Sequence, residues 1–187
     1  ERGKYLGRLD LATRRFRGTA LGPEIKDDAA ATAIYQRYLS RVNGEHLLSQ
    51  VPRTTSPAFA GSKACASCHG EVSRQWKSTD HAQALKTLER TGNDQDPACV
   101  GCHVVGLASK GGFTSKVQTP QLADVGCESC HGPARDHARK PRLNRTVADA
   151  KAACRSCHNP EHSPAFDFST YWKRVMHRRM STSVEKP

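Results

Sequence analysis

Large apolar side chains are scarce in this sequence. Leucine, isoleucine, valine and phenylalanine together supply 30 of the 187 residues, about 16 %, below the roughly 20 % under which a charged chain is expected to be disordered. Composition alone therefore excludes an ordinary side-chain core of domain size. The chain also lacks an apolar run long enough for a membrane span or the centre of a signal peptide, and we expect no integral membrane segment.

Acidic residues are few relative to basic ones. There are 18 aspartates and glutamates against 29 lysines and arginines, which gives a formal net charge of +11. On its own this excess favours an anionic partner such as nucleic acid or a membrane surface. No nucleic-acid recognition motif accompanies it, and eight cysteines are too many for a disordered basic tail. We therefore expect no nucleic-acid partner.

The cysteines follow one pattern, C-x-x-C-H, which occurs four times and leaves no cysteine over. This pattern is the attachment signature of c-type haem, because two thiols on one side of a helical turn can bond one porphyrin edge while the next histidine reaches the iron. The sequence therefore predicts four haem c groups, whose apolar macrocycles supply the missing core. The attaching cysteines are Cys65, Cys68, Cys99, Cys102, Cys127, Cys130, Cys154 and Cys157, and the proximal histidines are His69, His103, His131 and His158.

Three other uses of paired cysteines fit the pattern less well. A structural zinc site needs a second Cys or His pair at ligand distance, and a thioredoxin-like redox site uses one C-x-x-C rather than four. A disulfide framework accounts for the even number of cysteines but not for a histidine after every second one. The motif starts lie 34, 28 and 27 residues apart, so the haems must lie close together.

The motifs also predict a compartment. Covalent haem attachment takes place outside the cytoplasmic membrane, so we expect an exported protein, periplasmic or extracellular. The sequence starts at Glu1 without a methionine and shows no signal peptide. We interpret it as a processed chain or a fragment of a longer precursor.

Histidines outside the motifs are candidates for the sixth ligand of each iron. The best supported is His81, because capping residues precede it and it shares a helical stripe with Ala84, Leu85 and Leu88. This helix is predicted to end at Gly92. The five candidates are His46, His81, His137, His162 and His177.

His137 follows His131 by six residues, a tether of at most about 20 Å. This is too short to bring the ring around its own haem, so we expect His137 to reach another one. His162 lies in a turn-rich stretch close to its own proximal ligand. It is the least expected ligand.

His177 is predicted within a last helix from Ser169 to Met180. Met176 and Met180 lie nearby and keep open a haem ligated by a thioether, which would have a higher potential. A histidine ligand is preferred at this site.

Stretches between the motifs carry a further pattern: Trp76 with Ser78 and His81-Ala82, Cys99 to Gly106 followed by Gly111-Gly112-Phe113, Val125 to Pro133 with His137, and Ser163-Pro164 with Phe166-Asp167-Phe168 and His177. In this combination, over about residues 61–180, the chain resembles the tetrahaem cytochromes of the cytochrome c-554 type. The resemblance implies a mainly α fold, that of a small multihaem c-type cytochrome with little regular sheet and a core of stacked haems. It also implies that His81 is the distal ligand of the third haem, His137 of the first and His177 of the fourth.

The second haem is where this sequence differs from the family. The resemblance implies a second haem without a sixth protein ligand, but this chain carries His46 upstream. If His46 binds the second haem, all four irons are closed by two histidines, which suits an electron carrier of low potential. If it does not, the second haem is open to small molecules. The sequence leaves open whether His46 or His162 binds, and whether the ligand comes from the same chain.

Residues 1–60 differ in composition from the rest. We expect them to form a strand-helix arm and linker that precedes a tetrahaem cytochrome domain at residues 61–187. A short strand beginning near Gly3 is predicted to place four residues on one face. These are Tyr5, Gly7, Leu9 and Leu11.

The arm also contains a predicted helix, which begins at a cap at Asp27 or Asp28, runs to about Val42 and is ended by Gly44. This segment resembles the closing strand and helix of a calcineurin-like metallophosphatase domain, but no phosphatase metal motif is present. The apolar stripe of the helix needs a surface to cover. It consists of Ala31, Ile34, Tyr35, Tyr38 and Val42.

These patterns predict an electron carrier rather than an enzyme, with a basic surface that docks acidic redox partner proteins. A second hypothesis makes the chain a homo-oligomer, the protomer of an extracellular head-to-tail filament in which His46 binds a neighbour's haem. A third hypothesis is a haem redox enzyme that acts on small nitrogen oxides or hydroxylamine at an open second haem.

Overall fold

The computed structural model describes residues 5–22, 24–54, 58–142 and 149–177. Within these ranges the chain is mainly helical with one small sheet, which confirms the predicted fold class. None of the described helices is both long and apolar enough to cross a membrane. The elements are β1 (Tyr5–Asp10), β2 (Arg15–Ala20), α1 (Ala29–Gly44), α2 (Ser62–Ala66), α3 (Gly70–Lys77), α4 (Ala84–Glu89), α5 (Pro97–Val100), α6 (Cys127–His131), α7 (Arg135–Arg139), α8 (Ala150–Cys157) and α9 (Phe168–Val175), with short 3-10 helices at Leu47–Gln50, Asp80–Gln83 and Pro120–Leu122.

Strands β1 and β2 form an antiparallel hairpin whose residues are all exposed. Its register places Leu9 opposite Phe16 and Gly7 opposite Gly18. Because side chains alternate along a strand, these residues share one face, and the Phe16 ring lies across Gly7. The hairpin therefore has an apolar face.

The predicted first strand is confirmed over Tyr5–Asp10, whereas β2 was not predicted. The prediction for Leu11 is wrong: it lies in the turn rather than on the strand face. The strand ends there because the Asp10 side chain accepts a hydrogen bond from the Thr13 N–H at 2.8 Å. Gly3, the predicted start of the strand, lies outside the described residues.

Helix α1 begins and ends as predicted. The Asp28 carboxylate accepts a hydrogen bond from the Ala31 N–H at 2.9 Å, and the helix runs to Gly44. Its apolar stripe is only partly covered, since Val42 is buried while Ile34 is 60 % exposed. The helix therefore packs on the rest of the chain through the end of the stripe nearer its C-terminus.

Two tyrosines of α1 hold it against the segment that precedes α5. The Tyr35 hydroxyl donates to Asn93 Oδ1 at 2.9 Å, and the Tyr38 hydroxyl donates to Asp96 Oδ2 at 2.5 Å. The Asp96 carboxylate also accepts a hydrogen bond from the Ala98 N–H at the start of α5. Helix α1 is thus fastened to the element that carries the second C-x-x-C-H motif.

Replacing Tyr38 by phenylalanine is expected to lower the free energy of unfolding by about 1–2 kcal/mol, since a hydrogen bond to a charged acceptor contributes more than a neutral one. The same bond raises the pKa of Tyr38 to about 12. Tyr35→Phe, which removes a bond to a neutral amide, should cost less. Denaturant unfolding of both variants measures the difference, and equal costs would contradict the assigned role of Asp96.

A side-chain core surrounds the second motif. Two backbone hydrogen bonds of 2.9 Å, from the Val105 N–H to the Leu122 carbonyl and from the Phe113 N–H to the Val105 carbonyl, close the loop that follows it. This cluster supplies local packing beside the motif. Its buried members are Leu48, Leu85, Val100, Val104, Val105, Leu107, Phe113 and Leu122.

Candidate functional site

Each C-x-x-C-H motif lies on a helical turn. In the first motif the His69 N–H donates to the Cys65 carbonyl at 2.9 Å, and in the fourth the His158 N–H donates to the Cys154 carbonyl at 2.8 Å. The third motif coincides with α6. All eight cysteines are free, and in the described part of the chain no three Cys, His, Asp or Glu side chains converge on a metal-sized centre.

Three pairs of histidine rings face each other across the fold. A metal held by two imidazoles sets the ring centres about 6 Å apart, since each metal–nitrogen bond is about 2 Å long and each nitrogen lies close to its ring centre. Each gap thus fits one iron with two histidine ligands. The pairs are His69 and His137 at 6.3 Å, His81 and His158 at 6.1 Å, and His131 and His177 at 5.7 Å.

Two of these pairs correct the assignment that the resemblance implied. His81 faces His158 of the fourth motif rather than the third, and His177 faces His131 of the third motif rather than the fourth. Helix α6 packs against α8, so the third and fourth motifs are neighbours. Which of these two motifs each of His81 and His177 faces therefore depends on the path of the segments that carry the two histidines. The pairing of His137 with the first motif agrees with the prediction.

The approach of His177 differs from the prediction in a second respect. It lies two residues beyond α9, not within a helix from Ser169 to Met180, because Met176 adopts an extended backbone. The Gln75 side chain donates to the Met176 carbonyl at 2.7 Å and ties this segment to α3. The Met176 side chain is itself exposed, and Met180 lies outside the described residues.

The predicted helix around His81 is confirmed in part. A 3-10 helix at Asp80–Gln83 carries His81 and leads into α4, and Gly92 follows the helix end with a φ of +73°. Ala84 and Leu85 are buried on the same stripe. The stripe therefore sets the direction in which His81 faces the protein interior.

Several of the paired histidines are held in the form that binds metals. Burial lowers the pKa of His81, His131 and His158. The neighbouring His158 adds to this effect at His81, and the neighbouring His177 adds to it at His131. A lowered pKa keeps the imidazole neutral, and the neutral ring is the ligand.

At the second motif the described residues bring a single imidazole, that of His103. His103 Nδ1 donates to the Ala84 carbonyl at 2.6 Å, which leaves Nε2 unprotonated and available to a metal. No histidine ring faces His103 among the described residues. His46 is exposed, at a backbone φ of +51°, and His162 is exposed in a turn. A ligand role for His46 stays a prediction.

The motifs follow one another in space in an order that differs from the sequence. Helix α2 packs against α6, and the neighbouring thiols of these helices interact, which raises the pKa of Cys65 and lowers that of Cys127 to about 6. Burial and the neighbouring Cys157 raise the pKa of Cys102 to about 11. Because the third and fourth motifs also pack together, the spatial order is first, third, fourth, second.

Two residues that shape these sites were not predicted. The Phe166 ring stacks on the His158 ring, with 4.7 Å between the ring centres. The His158 ring also contacts the edge of Tyr171. Glu128 is a carboxylate only 4 % exposed within the third motif. The available signal for Glu128 was that it is the one acidic residue between any of the paired cysteines.

Comparison with known proteins places these sites in context. Residues 64–132 match the family described as cytochrome c554 and c-prime. Over 109 residues the chain is 39 % identical to cytochrome c-554 of Nitrosomonas europaea, a match that covers 50 % of this chain and 44 % of that protein. The structure is also similar to that of reduced cytochrome c554 from the same organism, with a TM-score of 0.54 and 29 % identity over 66 % of this chain and 86 % of that one. The chain thus spans less than half the length of the curated relative it matches.

Proposed function

We propose that this chain, whose residues 64–132 match the cytochrome c554 and c-prime family, is an electron carrier with four covalently bound haem c groups. The facing histidine rings at 5.7 to 6.3 Å carry the proposal. Haem c supplies one-electron chemistry at its iron. The eight cysteines provide the thioether attachment points, and the motif histidines hold the proximal positions.

On this proposal the described residues supply three sites with two facing imidazoles and one site, the second, with a single imidazole. His137, His177 and His81 complete the first, third and fourth sites, where the paired rings leave no position for a substrate. The spatial order of the motifs supports a route for single electrons from the first site through the third and fourth to the second. Such closed sites favour electron transfer over catalysis.

The haem content is tested directly on the exported protein. Mass spectrometry and the pyridine haemochrome absorbance should give four haems per chain, all retained after denaturation because the thioether bonds are covalent. Cys154→Ala with Cys157→Ala should reduce the number to three. A chain that matures with no covalent haem would overturn the proposal.

A second function has one observation in its favour: within the described ranges of the chain no imidazole lies opposite His103. A haem at the second site with a free position suits the sequence hypothesis of a redox enzyme for small nitrogen oxides or hydroxylamine. Nitric oxide should then shift the spectrum of one haem and leave the other three unchanged. An unchanged spectrum removes this candidate.

The spin state of the second haem decides the role of His46. On the described geometry we expect one high-spin haem in the wild type, detected by electron paramagnetic resonance, and no change in His46→Ala. Four low-spin haems in the wild type, with one lost in His46→Ala, would instead establish His46 as the missing ligand. His162→Ala tests the other exposed candidate: a low-spin haem lost in this variant and not in His46→Ala would assign the ligand to His162.

The cellular compartment and the redox partners follow from the haem attachment and the charge of the chain. Haem attachment requires export, so we infer a periplasmic location, and the net charge of +11 favours docking of acidic redox partner proteins. The extracellular filament and the metallophosphatase-like origin of residues 1–60 stay predictions of the sequence. Negative-stain microscopy of the wild type tests the filament.

A further inference from the structure

Glu128 is a buried carboxylate with an unusual set of partners. Its side chain is 4 % exposed, and it accepts hydrogen bonds from three backbone N–H groups. The Gly61 N–H lies 2.7 Å from Oε2, the Ala134 N–H lies 2.7 Å from Oε1, and the Ala60 N–H bridges both oxygens at 2.9 and 3.1 Å. Charge-assisted bonds of this kind are stronger than neutral ones.

The partners of Glu128 belong to both sides of the first histidine pair. Gly61 directly precedes α2, which carries Cys65, and Ala134 directly precedes α7, which carries His137. Glu128 itself lies in α6, within the third motif. One carboxylate therefore connects the proximal side of the first site, its distal side and the third site.

The backbone around this connection is closely fitted. Gly61 has a φ of +81°, and a Cβ there would lie 2.8 Å from the Gln121 side chain, so only glycine brings its N–H to Glu128. The Ser62 hydroxyl accepts a hydrogen bond from the Cys127 N–H at 3.2 Å and adds a second link between α2 and α6. The spacing of the first and third motifs thus depends on Glu128 and its immediate neighbours.

No cationic side chain among the described residues forms an ion pair with Glu128. The ion pairs found in this part of the chain join Arg41 to Glu45, Arg74 to Glu71 and Lys116 to Glu89. Among the residues that the structure describes, its hydrogen-bond donors are backbone N–H groups. The carboxylate is close enough to raise the pKa of both Cys65 and Cys127, although the interaction between the two thiols is the larger influence on each. Glu128 therefore places a negative field at the first and third attachment points.

We propose that Glu128 is a positioning residue that sets the first histidine pair and lowers the reduction potential of the first and third sites. The inference rests on the haem binding proposed above. Reduction adds one electron and so removes one positive charge from an iron centre, and a fixed anion in a poorly polarisable interior disfavours that step. Removing the anion should make these sites easier to reduce.

The test compares Glu128→Gln with Glu71→Gln in the haem-loaded protein. Both remove one negative charge near a motif, but Glu71 is almost fully exposed. A spectroelectrochemical titration should show one or two midpoint potentials shifted to more positive values in Glu128→Gln and all four unchanged in Glu71→Gln. Unchanged potentials in Glu128→Gln overturn the proposal.

The variant Glu128→Asp distinguishes the effect of the negative charge on the potentials from the effect of lost hydrogen bonds on the structure. Should Glu128→Gln fail to take up four haems, Glu128→Asp retains the charge with a shorter reach, and its potentials must stay at the wild-type values while its stability falls. Raised potentials in Glu128→Asp overturn the proposal. The haem content of the wild type is measured in the same preparations, so a failure of haem binding itself is distinguished from a failure of the role of Glu128.

Discussion

Phe113→Ala is expected to lower the free energy of unfolding by about 3–5 kcal/mol, the range found when a buried aromatic ring is removed from a packed core. Phe113 is 2 % exposed and lies in the cluster that surrounds the second motif. The Phe113 N–H donates a hydrogen bond to the Val105 carbonyl, and this bond keeps the loop from moving into the space left by the ring. The loss should therefore include both the transfer free energy and the cost of a cavity.

The control for this variant is Phe16→Ala, because Phe16 is 72 % exposed on the hairpin. Substitutions at exposed positions usually change stability by less than about 0.5 kcal/mol. Denaturant unfolding followed by circular dichroism measures both variants. Equal stabilities of Phe113→Ala and the wild type would mean that the side-chain cluster contributes nothing beside the haems.

The composition predicts few large apolar side chains for a core, and the structure shows where these few residues are buried. The buried aliphatic residues gather beside the second motif, the one that lacks a facing histidine pair. Each of the other three motifs has its histidine opposite a histidine from outside the motifs, and fewer buried side chains lie around them. The low aliphatic content therefore describes an uneven interior, in which side chains pack mainly where no second imidazole is brought in.

Local features of the sites followed from sequence because their causes are local. A spacing of three residues places two cysteines on one helical turn, and capping by Asp28 or termination near Gly92 depends on neighbouring residues alone. His81, His137 and His177, predicted as sixth ligands, each lie opposite a motif histidine, and their role as ligands stays a prediction. These residues were identified by helical periodicity, tether length and family resemblance.

Long-range features did not follow in the same way. Which motif faces His81 and which faces His177 depends on how α6 and α8 pack, and residues far apart in sequence decide that. The importance of Glu128 depends on Gly61 and Ala134 arriving at its carboxylate from separate segments. A local pattern of residue types does not predict contacts between segments that are distant in the sequence.

His177→Ala is expected to convert one low-spin haem to high-spin and to leave the free energy of unfolding within about 1 kcal/mol of the wild type. The ring faces His131 at 5.7 Å, so its removal leaves one imidazole for the iron at the third site, and a single imidazole favours the high-spin state. The structural cost is small because His177 is exposed and lies beyond α9. His162→Ala, also exposed but without a facing ring, should change neither property.

The same residue tests the exchanged pairing. In NMR spectra of the ferrous protein, the ring protons of His177 should contact the haem attached at Cys127 and Cys130, whereas those of His81 should contact the haem attached at Cys154 and Cys157. Contacts in the opposite sense would restore the assignment implied by the family resemblance. Because the third and fourth motifs are neighbours, either pairing keeps the same number of closed sites. The exchange therefore changes which haem loses its ligand in His177→Ala but not how many haems stay low-spin.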